Sequence, residues 1–139
     1  MTFYESEVYR IRALIHSNKD QIERIRAARQ YIDAHFDTDL NLDVLAEAVS
    51  FSKYHLLRLF KRYYGQTLRQ YLIDKRLEKA KEFLRSGMKV TETCFAVGFQ
   101  SPGSFSTLFK RKIGLTPKQY QNQQFSRSKL KSDFGPCEE

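Results

Sequence analysis

The chain has no tryptophan and only 2 cysteines and 3 prolines among its 139 residues. Cys94 lies in an apolar stretch and Cys137 in a polar one, so the pair fits neither a disulfide framework nor a zinc-ligand spacing. No apolar run approaches membrane-spanning length. The N-terminal sequence MTFYESEVYR carries acidic residues, which is not typical of a signal peptide. We therefore expect a cytoplasmic protein with no membrane association and with neither a metal nor any other cofactor.

Residue sets that support catalysis are also missing. The histidines His16, His35 and His55 are isolated from one another in the sequence. No Ser/His/Asp set, no carboxylate pair and no phosphate-cradling glycine loop is present. We predict that the protein is not an enzyme.

Positive charge is abundant, but it is confined to one part of the chain. The formal net charge is +8. Residues 53–112 contain 14 basic and 4 acidic residues, whereas residues 1–50 contain 6 basic and 9 acidic ones. A positive field concentrated in this way indicates phosphate binding, and a lysine-rich solvated surface is the alternative.

A motif in this basic region occurs twice. Residues 60–71 read FKRYYGQTLRQY and residues 109–120 read FKRKIGLTPKQY, so both fit F-K-R-x-x-G-x-T-x-x-x-Y with an offset of 49. The repeat extends upstream, where apolar residues match at an offset of 48. These pairs are Leu42 with Val90, Ala46 with Cys94, Val49 with Val97, and Phe51 with Phe99.

Apolar periodicity predicts an all-α fold, because no useful stretch alternates with period two. The pattern predicts two helix-turn-helix units joined by a long central linker helix, plus an additional N-terminal helix. Stop and start signals support this division, with Ser52, Thr67 and Ser101-Pro102 as helix starts and Gly65 and Gly114 as stops. The sequence predicts three parts: an N-terminal helical extension (1–20), a domain (21–124) and a mobile polar tail (125–139). The domain contains the first unit (about 42–64), the linker helix (about 68–85) and the second unit (about 90–113).

The second helix of the first unit has a core face and an outer face. Its core face carries Leu56, Leu59, Phe60 and Tyr63. On the outer face, Arg58 can grip guanine bidentately, while Tyr54 and Leu57 can touch thymine methyl groups.

The corresponding helix of the second unit has a weaker outer face. Phe105, Leu108 and Phe109 are expected to point inward, and Gly103, Ser106 and Thr107 outward. Because these outer side chains are short, we expect this helix to contribute position and affinity more than sequence information.

Other residues are predicted to contact DNA phosphates. Thr67 and Thr116 start helices whose N-terminal N–H groups suit a phosphate, although helix capping explains both threonines equally well. Cations near the helix ends complete the predicted set: Lys53, Lys61, Arg62, Lys110, Arg111 and Lys112.

The segment GFQSPGSFSTLFKRKIGLTPKQY, residues 98–120, resembles the signature of the AraC/XylS-type transcription regulators, and the resemblance covers residues 22–121. It implies seven helices and two recognition helices in successive major-groove segments of double-stranded DNA, roughly 34 Å apart. It also implies an activator that contacts RNA polymerase. Thr107 stands where many members carry arginine, and Leu68 where proline is usual. The resemblance places base contacts at Tyr54, Leu57, Arg58, Pro102, Gly103, Ser106 and Thr107.

Three questions remain open at the level of the sequence. About 20 residues precede the region that resembles the family, too few for a small-molecule effector domain, so the chain resembles the stand-alone members or an excised fragment. The helix from Tyr4 to Ile15 is expected to pack on the domain, with dimerisation or a polymerase contact as alternatives. A low-specificity nucleic-acid-binding module or a protein-interaction module is the alternative to a sequence-specific regulator.

Overall fold

The computed structural model describes the backbone of residues 3–134 and the side chains of that range except those of residues 3, 4, 10, 12–18 and 128–134. Within this range every regular element is helical, which confirms the all-α prediction. None of these helices combines the length and the apolar character needed to cross a bilayer. The helices are α1 (Phe3–His35), α2 (Leu42–Ala48), α3 (Lys53–Tyr64), α4 (Leu68–Arg85), α5 (Val90–Ala96), α6 (Pro102–Ile113) and α7 (Pro117–Phe134).

The N-terminal region differs from the sequence prediction. The sequence predicted a separate helix from Tyr4 to Ile15, ending before Ser17-Asn18, but α1 runs without interruption for 33 residues. Serine and asparagine cost a helix interior only a few tenths of a kcal/mol, and neither glycine nor proline is present to end it. An ion pair between Asp20 and Arg24, 3.0 Å apart at i and i+4, supports the next turn.

The C-terminal helix is also longer than expected. Instead of a short helix followed by a tail from residue 125, α7 continues to Phe134. Its sequence contains no glycine or proline between Lys118 and Phe134, so no local signal ends it earlier. Cys137 and the last residues of the predicted tail lie outside the described residues.

The chain divides into two compact units. Unit 1 contains α1, α2, α3 and the start of α4 up to Tyr71, and unit 2 contains the segment Phe36–Asp39 and the chain from Leu72 onward. Each unit buries its own apolar residues. Those of unit 1 are Ile25, Ala28, Ile32, Leu45, Ala46, Val49, Leu56, Leu59, Phe60 and Leu68; those of unit 2 are Leu77, Ala80, Leu84, Cys94, Val97, Phe99, Phe105, Phe109 and Tyr120.

Each unit contains a short helix, a tight turn and a second helix. The turn of unit 1 places Ser50 at a positive φ of 59°, and the turn of unit 2 places Gly98 at 99°. In both turns the residue that follows donates its N–H to a carbonyl five residues back: Phe51 to Ala46 at 2.9 Å, and Phe99 to Cys94 at 3.1 Å. The two turns therefore close in the same way, although one uses serine where the other uses glycine.

Arg76 holds the segment Phe36–Asp39 within unit 2. Its Nε donates to the carbonyl of Phe36 at 2.7 Å, and an Nη donates to the carbonyl of Thr38 at 2.9 Å. The guanidinium also lies over the ring of Phe99, 5.6 Å from its centroid. Burial lowers the pKa of Arg76, while Asp39 and Asp37 oppose that shift.

Candidate nucleic-acid interface

The repeated motif builds the same support beneath the second helix of each unit. Phe60 and Tyr71 meet edge to face with ring centroids 5.5 Å apart, and Phe109 and Tyr120 do so at 5.6 Å. Both phenylalanines are fully buried. Edge-to-face pairs of this kind stabilise a core beyond their buried area. The first and last residues of the motif therefore form a core pair in both units.

The motif glycine ends the second helix in both units. Gly65 has φ 73° and Gly114 has φ 93°, and each donates its N–H to the carbonyl four residues earlier, that of Lys61 or Lys110. Glycine adopts this left-handed backbone without strain, so the cap stops each helix immediately after its basic end. The prediction of glycine stops is confirmed.

The helix that follows each motif glycine starts with a reciprocal capping box. In unit 1 the Gln70 N–H donates to Thr67 Oγ1 at 3.1 Å, and the Thr67 N–H donates to Gln70 Oε1 at 3.0 Å. Thr116 and Gln119 repeat both bonds in unit 2 at the same distances. The capping role of both threonines is confirmed, and contact with a phosphate stays a prediction.

Gln70 and Gln119 are residues that the sequence prediction missed. Both motif copies carry glutamine at this position, immediately before the final tyrosine. The identical letter three residues after a capping threonine was the signal that could have revealed them. Their side chains occupy the threonine N–H groups, so only the hydroxyl protons of Thr67 and Thr116 remain to be donated to a phosphate.

Helix α3 presents the predicted base-reading side chains of unit 1. Ser52 caps its N-terminus by accepting from the His55 N–H at 3.1 Å. Tyr54 is 79% exposed, Arg58 is exposed, and Leu57 between them is half-buried. The outer face thus offers one aromatic ring and one guanidinium at i and i+4, on the same side of the helix.

The core side of α3 differs from its prediction at one residue. Leu56, Leu59 and Phe60 are buried as expected. Tyr63 is 39% exposed, and its hydroxyl donates to Gln21 Oε1 of α1 at 3.1 Å. A phenol can place its ring against apolar neighbours while its hydroxyl reaches a polar partner, and this partner lies on a distant part of the chain.

Helix α6 presents a flatter outer face in unit 2. Ser101 caps it by accepting from the Ser104 N–H at 3.3 Å, with Pro102 following in the first turn. Pro102, Gly103 and Thr107 are exposed, and Ser106 is half-buried. Phe105 and Phe109 are fully buried, and Leu108 packs against the core, as predicted.

Gly103 leaves room at the start of α6. A Cβ built there would meet only the Ser101 Oγ, at an ordinary 3.6 Å. Packing within the protein therefore does not require glycine at this position. The missing side chain leaves the first turn of the helix open to close approach by another molecule.

The cations of the motif lie at the ends of both second helices. Among the described residues, Lys61, Arg62, Lys110 and Arg111 are exposed and none of them forms an ion pair with a carboxylate. Lys53 is exposed at the start of α3. Lys112 differs from these, because its Nζ lies 3.4 Å from a carboxylate oxygen of Asp74 on α4. Five of the six predicted phosphate-contacting cations are thus available in the structure, and one is paired.

The fold defines a class of protein: a helix-turn-helix protein whose second helices end in exposed cations. The family model described as "Helix-turn-helix domain" matches residues 45–123. The regulatory protein SoxS of Salmonella typhimurium is 33% identical over 100 residues, covering 71% of this chain and 94% of that protein. The chain belongs to the AraC-type family of DNA-binding transcription regulators.

Two further similarities agree with this assignment. An HTH-type transcriptional regulator of Pseudoalteromonas carrageenovora, from the cgkA 5′ region, is 35% identical over 97 residues, covering 70% of this chain and 58% of that protein. The C-terminal domain of AraT, a response regulator from Geobacillus stearothermophilus, has a TM-score of 0.69 and 37% identity, covering 72% of this chain and 84% of that domain. The match therefore spans 58% of the Pseudoalteromonas carrageenovora regulator and 94% of SoxS.

Proposed function

We propose that the protein is a sequence-specific transcription regulator that reads two successive major-groove segments of double-stranded DNA, one with α3 and one with α6. The observation that carries this proposal is the contrast between the two units. The core contacts beneath the second helix are the same in both units: an edge-to-face aromatic pair, a glycine cap and a capping box. Their outer faces differ, with Tyr54 and Arg58 on one helix and Ser106 and Thr107 on the other.

This contrast supports different roles for the two helices in DNA binding. Exposed cations at the same motif positions on both helices favour phosphate binding without regard to sequence. The guanidinium of Arg58 can make a bidentate contact to guanine, whereas hydroxyl groups such as that of Thr107 discriminate weakly. We infer that α3 supplies most of the sequence information and that α6 supplies position and affinity.

Titration of the protein with matched and scrambled duplexes tests this proposal. Sites selected from a random DNA pool supply the matched duplex, and affinity is measured across a salt series. We expect the affinity for both duplexes to fall as salt rises, with the ratio between them staying well above unity. A ratio near unity at every salt concentration indicates a low-specificity nucleic-acid binder. No DNA binding at low salt indicates a protein-interaction module.

We further propose that the regulator activates transcription by contacting RNA polymerase in the cytoplasm. Each unit exposes an apolar side chain on a helix that does not read DNA: Val44 of α2 is 52% exposed and Phe95 of α5 is 53% exposed. Both side chains lie on helices without a predicted DNA contact, so they are accessible to another protein. In a purified transcription assay, Phe95→Ser is expected to lower activation while leaving DNA affinity unchanged. Repression by the unaltered protein at its selected site contradicts the activator proposal.

A further inference from the structure

A cavity of about 350 Å³ lies in unit 1, between α1 and the turn that joins α2 to α3. Helix α1 contributes Asp20, Gln21 and Arg24 to its wall, and the turn and the start of α3 contribute the rest. Six of its seven lining residues are polar or charged. A concave site of this size, with several polar groups that converge on it, can hold a small molecule.

The duplication offers a direct comparison for this site. In unit 1 the guanidinium of Arg24 lies over the ring of Phe51, 5.2 Å from its centroid. In unit 2 the guanidinium of Arg76 lies over the ring of Phe99 at 5.6 Å. The two phenylalanines are matched by the repeat, and each follows the tight turn of its unit. Each unit therefore places an arginine of a long helix against the aromatic residue of its turn.

The two guanidinium groups differ in what they bind. Arg76 donates to two main-chain carbonyl oxygens, those of Phe36 and Thr38, at 2.7 and 2.9 Å. Among the described residues, the acceptor that Arg24 meets is the carboxylate of Asp20, at 3.0 Å. The side chains of this pair are 39% and 57% exposed, so the pair is weak and occupies few of the five N–H donors of Arg24.

The turn residue decides what kind of acceptor fits beside Arg24. A Cβ at Gly98 would lie 3.0 Å from the Phe36 carbonyl oxygen, so the segment of unit 2 packs where only glycine leaves room. Ser50 stands at this place in unit 1, at φ 59°, and its Cβ excludes a main-chain segment seated in the same way. Its hydroxyl instead lines the cavity. A non-glycine residue at positive φ is strained, and such strain is concentrated at binding sites.

Two further side chains bring donors to the cavity wall. Gln21 accepts the Tyr63 hydroxyl through its Oε1, so its NH₂ group remains to donate. Ser52 accepts the His55 N–H through its Oγ and keeps its hydroxyl proton for donation. With the guanidinium of Arg24, these groups make the wall rich in donors. A ligand that complements this wall carries acceptor oxygens.

We propose that the cavity binds a small oxyanion, a carboxylate or a phosphate group, through Arg24 and Ser50. A guanidinium binds either group through two parallel hydrogen bonds. Asp20 repels the anion, so the affinity is modest, with a dissociation constant on the order of 1 mM. A duplex brings several phosphates towards the same carboxylate, which favours a free anion over the DNA backbone.

An anion in this cavity is expected to weaken DNA binding. Ser52 and His55 belong to the start of α3, the helix whose outer face carries Tyr54 and Arg58. A negative charge there lowers the positive potential of the helix. Anion and DNA then weaken each other's binding by the same factor. This consequence rests on the proposed DNA-binding function, whereas binding of the anion does not.

Nuclear magnetic resonance of the full chain without DNA tests the proposal, with sodium phosphate and sodium acetate titrated separately at neutral pH. Sodium chloride of equal ionic strength is the reference. We expect the amide signals of Ser50, Phe51 and Ser52 to shift and saturate with one or both oxyanions but not with chloride. Arg24→Gln is expected to weaken this binding at least about tenfold, because it removes the charged donor.

Arg26→Gln is the matched control for Arg24→Gln. Arg26 lies on the same helix and is exposed, and it does not line the cavity. The variant removes the same charge, so it is expected to change the dissociation constant less than about twofold. Equal weakening by both variants attributes the binding to net charge and overturns the proposal.

Ser50→Gly separates anion binding from folding. The substitution copies the residue of unit 2, relieves the positive φ and removes the hydroxyl. The urea unfolding midpoint is expected not to fall, while affinity for the oxyanion falls at least about threefold. Unchanged affinity in this variant contradicts the role of Ser50. Loss of affinity without loss of stability supports it.

Three other results overturn the proposal. The first is a set of amide shifts that never saturate or that chloride reproduces. The second is saturable binding of a peptide copy of residues 36–39 where neither oxyanion binds, which makes the cavity a peptide site. The third is a loss of affinity for matched and scrambled duplexes with Arg24→Gln, in anion-free buffer, that Arg26→Gln does not share. That loss assigns Arg24 to the DNA backbone. The oxyanion titrations contain no DNA, so their failure is separate from any failure of the DNA-binding proposal.

Discussion

The ammonium group of Lys112, on α6 of unit 2, lies 3.4 Å from a carboxylate oxygen of Asp74 on α4. Lys112 belongs to the motif region and was predicted to contact a DNA phosphate. Its side chain is 39% exposed and that of Asp74 is 42% exposed, so the pair is solvated and contributes below about 1 kcal/mol. If Lys112 contacts a DNA phosphate as proposed, Asp74 competes with DNA for this lysine.

Asp74→Asn is expected to strengthen DNA binding. The substitution releases Lys112 and removes a negative charge beside it, so affinity for specific and scrambled duplexes rises by about two- to fivefold at low salt. The gain shrinks as salt screens the charges. Glu82→Gln is the matched control, because Glu82 lies on the same helix and pairs with Lys79 at 3.0 Å. An equal gain from both variants in fluorescence anisotropy attributes the effect to net charge and not to Lys112.

Arg58→Ala is expected to relax sequence preference at one base position. Loss of the proposed bidentate contact is expected to cost about 1–3 kcal/mol on the selected site and much less on a site altered at that base pair. Lys61→Ala, one turn further along α3, is expected instead to weaken all duplexes alike and to reduce the salt slope by about one. Binding to a panel of single-base variants separates the two results. A uniform loss with Arg58→Ala assigns Arg58 to phosphate.

Gly98→Ala is expected to destabilise unit 2 more than Gly65→Ala destabilises unit 1. Both glycines have positive φ, so alanine strains either backbone by about 1–2 kcal/mol. At Gly98 the new Cβ also lies 3.0 Å from both the Arg76 Nε and the Phe36 carbonyl oxygen, whereas at Gly65 nothing lies within 4 Å. The additional cost at Gly98 is roughly 1–3 kcal/mol. Urea unfolding of both variants measures the difference, and equal midpoints contradict the expected clash.

Tyr71→Phe is expected to destabilise unit 1 by about 1–2 kcal/mol at neutral pH. The Tyr71 hydroxyl donates to a carboxylate oxygen of Asp33 at 2.5 Å. Burial and this bond both raise the pKa of Tyr71 above its ordinary value of 10.0. A raised folded-state pKa contributes stability that is complete below pH about 10 and is lost as pH rises through the folded-state value.

The difference in unfolding free energy between the unaltered protein and Tyr71→Phe should therefore be constant at neutral pH and shrink in strong alkali. Denaturant unfolding followed across that pH range measures it. Tyr54→Phe serves as the control, since Tyr54 is 79% exposed and its variant should match the unaltered protein throughout. A Tyr71→Phe difference that grows with pH would contradict the assigned direction of the pKa shift.

Much of the fold could be predicted because its signals are local. The glycines at 65 and 114 and the capping residues Ser52 and Ser101 act within one turn of the helix that they bound. The glutamines of the two capping boxes carried the same kind of local signal, repeated in both motif copies, and were nevertheless missed. The length of α1 was mispredicted because Ser17 and Asn18 only weakly disfavour a helix, so a local pattern could not decide whether the chain broke there.

In the candidate site too, local features could be predicted from the sequence and contacts between distant residues could not. Helical periodicity correctly placed Arg58 and Thr107 on exposed positions and Phe105 in the core. It did not reveal that Tyr63 bonds to Gln21 or that Lys112 is paired with Asp74. Neither partner is near in sequence, and a polar side chain shows no preference for one distant partner over another until the chain is folded.

The sequence by itself determined most of the helices and their caps, because these depend on neighbours within about four residues. It also determined the duplication and the position of the positive charge, because both are read directly from the order of residues. The tertiary structure alone decided that Arg76 holds the carbonyl groups of Phe36 and Thr38, that Lys112 pairs with Asp74, and that Ile11 of α1 stays exposed. These outcomes depend on which groups come within a few ångströms after folding, and contact at that range is set by packing and not by the order of residues along the chain.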